Sequence, residues 1–223
     1  MSEMITFGDD RYPDRLRELA QAPRTLYYQG DVSLLSSEGV AIVGTRQPTP
    51  LGCKVAHAIA SFFASEGYSV VSGLAVGCDR IAHKAALSVA GKTIAVLGSS
   101  LDAIYPAENR GLARDIVRSG GLLVTAYADT IYDPSRFPER DKVIAALSCA
   151  VIPIQAGKSS GTRHACRAAI RLGRPVFVPA PVASDEEQYP EKYALIRQLM
   201  RRSECLPFKG RQEYNMLLDV LRR

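Results

Sequence analysis

Apolar residues along this chain follow two alternating rhythms. Short β-rich runs occur at Val40–Val43, Ser69–Val71, Thr93–Leu97, Leu122–Val124, Ala150–Ile154 and Val176–Val178. Between them lie helix-length stretches whose apolar positions are three and four apart, such as Val55, Ile59, Phe62 and Phe63, or Ile81, Ala82, Ala85, Ala86 and Val89. The same spacing recurs at Leu112, Ile116 and Val117, at Val143, Ile144 and Leu147, and at Ala165, Ala168, Ala169 and Leu172. Strands that are apolar almost throughout, alternating with helices, indicate a parallel sheet covered on both faces. The expected fold is α/β: a Rossmann-like, six-stranded, mainly parallel sheet with helices on both faces. Pro153 has no N–H to give to a ladder, so its strand is expected at an edge or a bulge.

The flanks read differently. Residues 1–38 place Tyr12, Leu16 and Leu19 at helical spacing, predicting a short helix from about Pro13 to Ala20. An extended segment from Arg24 to Gln29 follows and ends at Gly30. That is too little for a core of its own, so this lead-in must pack on the α/β unit expected over residues 39–183. Residues 184–223 open with an acidic turn, Asp185-Glu186-Glu187, and continue into helices near Glu191–Arg202 and Arg211–Leu221. In the first of these, Leu195, Ile196 and Leu199 share an inward face, and Arg197, Arg201 and Arg202 face water.

Composition narrows the class. At 223 residues, 47% hydrophobic and 23% charged, the chain is of ordinary globular type, which excludes wholesale disorder. Charges and prolines interrupt every apolar run before it reaches membrane-spanning length. Met1–Asp10 carries acids and no apolar stretch of signal-peptide type, so a cytoplasmic location is expected. The five cysteines are widely spaced and never form C-x-x-C, so neither a disulfide framework nor a metal site is expected. From Lys158 onward there are 13 basic and 7 acidic residues, against 15 and 16 in the remainder. That asymmetry suits either an anionic partner or a solvated helical surface.

In an open parallel sheet, ligands gather beyond the C-terminal ends of the strands. Three of the expected strands run out at Gly44, Gly73 and Gly98. Thr45 and Arg46 follow the first, Ser72 precedes the second, and Ser99 and Ser100 follow the third. Glycines allow close approach to the backbone, helix N-termini favour phosphate, and an arginine adds a permanently charged fork. Together these point to an anion site. Ser159-Ser160-Gly161-Thr162-Arg163 is a further small-residue helix entry after a strand. Phe137, with Arg140 and Lys142 before a helix expected over Val143–Ser148, pairs a ring for base stacking with cations for a phosphodiester backbone.

Other chemistry is poorly supported. Gly91-Lys92-Thr93 and Gly157-Lys158-Ser159 resemble the end of a P-loop, but Ala86 and Ile152 stand where its first glycine belongs. No G-x-G-x-x-G opens the first helix, and neither G-x-S-x-G nor H-E-x-x-H occurs. Asp79 and His83, four apart at a helix start, are either an acid–base pair or a helix N-terminal aspartate with a separately bonded histidine.

The motifs together resemble the DprA/Smf DNA-processing family. The resemblance rests on Val43-Gly44-Thr45-Arg46 with Gly52, on Ser72-Gly73-Leu74-Ala75-Val76-Gly77-Cys78-Asp79 through His83, and on Gly91 through Gly98. It continues through Leu101-Asp102, Tyr105-Pro106 and Asn109, then Phe137-Pro138-x-Arg140, Ser160-Gly161-Thr162, Gly173-Arg174 and Val176-Phe177. It spans about residues 11–181. The resemblance implies an extended Rossmann fold that forms a homodimer, binds single-stranded DNA and loads the RecA recombinase in natural transformation, with no required reaction and no cofactor. It implies a phosphate contact at Arg46 and a pocket segment at Phe137 and Arg140. The candidate DNA-contacting set is thus Gly44, Thr45, Arg46, Ser72, Gly73, Gly98, Phe137, Arg140, Lys142, Ser160, Gly161 and Thr162.

There are departures: Arg140-Asp141-Lys142 replaces the usual R-N-R, Thr125-Ala126 the usual Ser-Glu, and Gln155 the usual acid. Neither a full helical N-terminal module nor a C-terminal winged helix is evident. An alternative keeps the fold and changes the ligand to a small nucleotide, sensed or processed. A third reading is a regulatory or defence-associated protein with a vestigial pocket.

Overall fold

The structure, a computed structural model, describes residues 3–222. A seven-stranded sheet is ordered β1-β2-β6-β5-β4-β3-β7. Its strands are β1 (Glu3–Thr6), β2 (Thr25–Gly30), β3 (Gly39–Val43), β4 (Ser69–Ser72), β5 (Thr93–Leu97), β6 (Leu122–Thr125) and β7 (Ala150–Pro153). The five strands from β6 to β7 run parallel, and β1 and β2 are antiparallel additions along the free edge of β6. The helices are α1 (Asp14–Arg17), α2 (Pro50–Ser65), α3 (Cys78–Ser88), α4 (Arg110–Arg118), α5 (Arg136–Ala146), α6 (Thr162–Arg171), α7 (Ala183–Gln188), α8 (Ala194–Arg201) and α9 (Tyr214–Leu221).

The side chains of the parallel strands explain the two-sided cover. Along β3, Ala41 and Val43 enter one core while Val40 and Ile42 enter the other, as period-2 alternation requires. The first core is closed by Leu16, by Val143 and Ile144 of α5, by Ala165 and Ala169 of α6, and by Leu195, Ile196 and Leu199 of α8. The second takes Ile59 and Phe63 of α2, Ala82 and Ala86 of α3, and Leu217 and Leu218 of α9. Leu112 and Ile116 of α4 cover Leu97 and Leu123 on that same side. Each parallel strand thus buries both faces, which is why it is written without polar alternation.

Several expectations change. The strand expected at Val176–Val178 becomes β8 (Phe177–Pro179), which pairs in parallel with an unforeseen β9 (Leu206–Phe208). It touches the main sheet through a single bridge, Val151 to Val176. Seven strands therefore replace six, because the lead-in supplies two. Pro153 terminates β7, the last strand of the seven-stranded order, so its missing N–H interrupts no interior ladder. The helix near Pro13 is a single turn. The segment Phe137–Lys142 does not precede a helix but lies inside α5, with Pro138 in its first turn, where a proline costs no helical hydrogen bond. The acidic stretch Asp185–Glu187 is helical, pinned by hydrogen bonds that Asp185 accepts from Thr49, Gln155 and Tyr193.

Candidate nucleic-acid interface

Chain order reverses at one place in the sheet. The path β3 to β6 steps one way across it, and β7 returns to the other side of β3. The crevice between strands β3 and β7, beyond their C-terminal ends, is the topological switch point where doubly wound sheets hold ligands. A hollow of about 430 Å³ lies there, lined by Gly44, Thr45, Arg46, Ala75, Asp79, Phe137, Arg140, Asp141, Gly157 and the stretch from Ser159 to Thr162.

Backbone bonds set its walls. The Thr45 N–H donates to Gln155 O at 2.7 Å and the Cys78 N–H donates to Thr45 O at 3.1 Å, so the loop after β3 is tied to β7 and to the start of α3. Gly77 makes that approach possible. Its φ is +78°, and a Cβ there would stand 2.5 Å from the Arg46 carbonyl oxygen. Gly98 serves similarly under Phe137, whose ring would be 2.7 Å from any added Cβ.

Arg46 is exposed, and its guanidinium carbon sits 6.0 Å from the Phe137 ring centroid. Arg140 approaches the same ring from beneath, at 5.7 Å, but is only 6% exposed. Its Nη1 donates to the carbonyls of Gly73 and Val96, and its Nε lies 3.1 Å from Asp141. Arg140 is therefore a strut joining α5 to the ends of β4 and β5, and its charge is committed inside the protein. The Asp79 carboxylate accepts from the Gly73 N–H at 3.1 Å and the Ala75 N–H at 3.4 Å. Burial raises the Asp79 pKa, with Arg140 the main opposing influence. Burial likewise raises Asp141 to about 6; Arg140 and Arg46 pull it down, and Asp79 adds to the rise.

The structure gathers Gly44, Thr45, Arg46, Phe137, Arg140, Ser160, Gly161 and Thr162 around the hollow. Gly73 and Gly98 lie beneath it, against Arg140 and Phe137. Ser72 is not part of it: fully buried, its hydroxyl donates to Ile42 O at 2.6 Å. Nor is Lys142, whose ammonium pairs with Glu139 at 2.7 Å and lines a different cavity. Arg140 and Lys142 are two positions apart in α5, about 200° round a helix of ~3.6 residues per turn, so they point to different sides once the segment is helical. Asp79 and His83 are not an acid–base pair, because His83 Nδ1 meets Thr93 Oγ1 at 2.7 Å and burial holds its pKa down to about 3. Among the described residues no group of three or more His, Cys, Asp or Glu could hold a metal ion, and no helix is long and apolar enough to cross a membrane.

The sequence reading missed Tyr132 altogether and did not place Tyr105 in the site. Their rings lie 4.9 Å apart, at 6.1 and 5.9 Å respectively from Phe137, and are 57% and 39% exposed. The loop that carries Tyr132 is braced by Arg136, whose Nη2 donates to both Asp129 oxygens, at 2.9 and 3.0 Å. An aromatic residue in a stretch otherwise rich in Asp and Pro was the available signal, and no periodicity marks it.

Known proteins resemble this chain closely. The family described as DNA recombination-mediator protein A matches residues 3–202. DNA processing protein DprA of Streptococcus pneumoniae is 39% identical over 171 residues, covering 76% of this chain and 60% of that protein. Protein Smf of Synechocystis is 38% identical over 179 residues, covering 78% of this chain and 45% of the relative. The chain therefore spans about half the length of the curated relatives it matches. Among solved structures, DNA processing protein A of Helicobacter pylori, studied for its single-stranded DNA binding mode, superposes with a TM-score of 0.86 at 30% identity, covering 98% of this chain and 96% of that one. Sheet order, motif positions and these matches agree, and the chain belongs to the DprA/Smf family of DNA recombination-mediator proteins.

Proposed function

We propose that the protein binds single-stranded DNA across the hollow and the aromatic residues beside it, and acts as a recombination mediator. The observation that carries this reading is Arg46: an exposed guanidinium, without an ion pair among the described residues, beside Phe137 at the switch point of the sheet. A phosphate meets Arg46 beside the small residues Ser160, Gly161 and Thr162 at the entry to α6, which allow close approach to the backbone. Unstacked bases lie on Phe137, Tyr105 and Tyr132, a contact that duplex DNA, with its bases paired and stacked, does not offer. Membership in a family described as recombination mediators supports a role in loading the RecA recombinase during natural transformation. In this reading the protein works as a cytoplasmic homodimer and performs no reaction on the strand.

Fluorescence anisotropy with single- and double-stranded oligonucleotides at two salt concentrations tests the binding. Single strands are expected to bind more tightly, and Arg46→Ala is expected to weaken them and flatten the logarithmic salt dependence by about one unit. Lys142→Ala is expected to change little, because its ammonium is held by Glu139 outside the hollow. Absence of single-strand affinity at low salt, or equal affinity for duplex, would defeat the reading. RecA nucleation on single strands, followed with and without the protein, tests the loading role. Light scattering tests the dimer.

A further inference from the structure

A second cavity, of about 530 Å³, opens on the other side of Arg140. Its volume is within the range that small-molecule ligands occupy. It lies past the ends of β5 and β6, between the lead-in residues Glu18–Pro23 and the paired helices α5 and α6. The floor is apolar, formed by Leu26, Val96, Val124, Val143 and Leu172. Two polar side chains beside that floor are committed elsewhere: the Thr125 hydroxyl donates to Leu97 O, and Arg140 is held by the Gly73 and Val96 carbonyls.

The charges at its rim do not cancel. Glu139 is paired with Lys142 at 2.7 Å, and Glu18 with Arg174 at 2.7 Å. Arg167 and Arg171 remain, exposed, one helical turn apart on α6, with no ion pair among the described residues. A helix C-terminus accounts for one cation in its last turn, Arg171, but not for Arg167 facing the same cavity. His164 lines the same wall. Its pKa is lowered, first by burial and then by the positive fields of Arg163, Arg167 and Lys142, with Glu139 opposing. Two free guanidiniums above an apolar slot match a dianionic phosphate monoester attached to a flat, weakly polar body.

We propose that this cavity is a second binding site, taking a nucleoside phosphate monoester with its phosphate on Arg167 and Arg171 and its base on the apolar floor. The same chemistry is carried by a free mononucleotide and by the 5′-phosphorylated end of a DNA strand. The site is separate from the Arg46 hollow, so it stands or falls independently of the DNA-binding reading.

Calorimetric titration of the full chain with dAMP tests it, with adenosine and inorganic phosphate as partial probes. Arg167→Gln combined with Arg171→Gln should weaken dAMP at least about tenfold. Ala20→Trp, at an exposed position on the rim, should block the cavity to a similar degree without touching the core. Arg46→Ala should leave dAMP affinity unchanged, and the His164 ring resonances should move on binding in the wild-type protein. Comparing short oligonucleotides with and without a 5′-phosphate, in the Arg46→Ala background, identifies the source. A phosphate-dependent gain that the double arginine variant abolishes assigns the strand end, and a response to dAMP alone assigns the free nucleotide. No dAMP binding at millimolar concentration, binding that survives both the double variant and Ala20→Trp, or binding lost with Arg46→Ala would overturn the proposal.

Discussion

Two arginines beside one phenylalanine ring have opposite duties. Arg46 is open to solvent and free to meet an anion, whereas Arg140 is closed inside and shared between two carbonyls and Asp141. Arg140→Gln is expected to cost about 3–5 kcal/mol, because it strips the partner from a buried carboxylate. Arg46→Ala is expected to leave the melting temperature near that of the wild type, and differential scanning calorimetry on both variants checks the contrast. Asp141 gives a second residue-level test. Its folded-state pKa of about 6 lies above the ordinary 3.8, so its ionised form is disfavoured by folding. The stability it contributes is fully present below pH ~3.8 and is lost as pH rises through ~6. Asp141→Asn should therefore lack this loss, so that the stability of the variant relative to the wild type improves as pH rises from about 4 through about 6. Denaturant melts across that range measure it. The same variant removes a negative charge from the hollow and should tighten single-strand binding at neutral pH, with less effect below pH ~6.

At the scale of elements, the decisive feature is that short loops after β3, β4 and β7 converge. The loop after β3 is tied by backbone bonds to both of the others, and its contact with the start of α3 depends on the positive φ at Gly77. Gly77→Ala puts a methyl group against the Arg46 carbonyl in a conformation that alanine disfavours. It is expected to destabilise by more than about 1 kcal/mol and to weaken single-strand binding together with stability, since the loop carrying Arg46 must shift. Thermal melting and anisotropy on one preparation test whether the two losses go together. The helix α5 has a comparable role. By starting at Arg136 it turns Phe137 over Gly98, sends Arg140 inward and leaves Lys142 on the far side.

Across the whole molecule, β1 and β2 extend the sheet past β6, and Leu26 and Tyr28 of β2 join the core that α5, α6 and α8 also cover. Removing residues 1–30 would bare the edge of β6 and the apolar side chains that β2 shields, a surface prone to pairing with other copies. That truncation is expected to aggregate, as size-exclusion chromatography of the soluble fraction would reveal. Much of this architecture was legible in the residues. Runs such as Val40–Val43 and Thr93–Leu97 are apolar on both sides of the strand, and only a sheet covered on both faces makes use of that pattern. The motif at Gly44-Thr45-Arg46 likewise marked one wall of the hollow, because a strand-ending glycine followed by a cation is a local arrangement. Which neighbours would complete it was not local. Ser72 is turned inward to Ile42, Lys142 is captured by Glu139 on the far side of α5, and Tyr132 reaches Phe137 through a loop closed by the Arg136–Asp129 ion pair. Sequence periodicity by itself determined the α/β layers, because burial on one or both faces is written in the spacing of apolar residues. Tertiary structure alone decided which charges stay free, because a guanidinium's availability depends on carbonyls and carboxylates brought to it from remote parts of the chain.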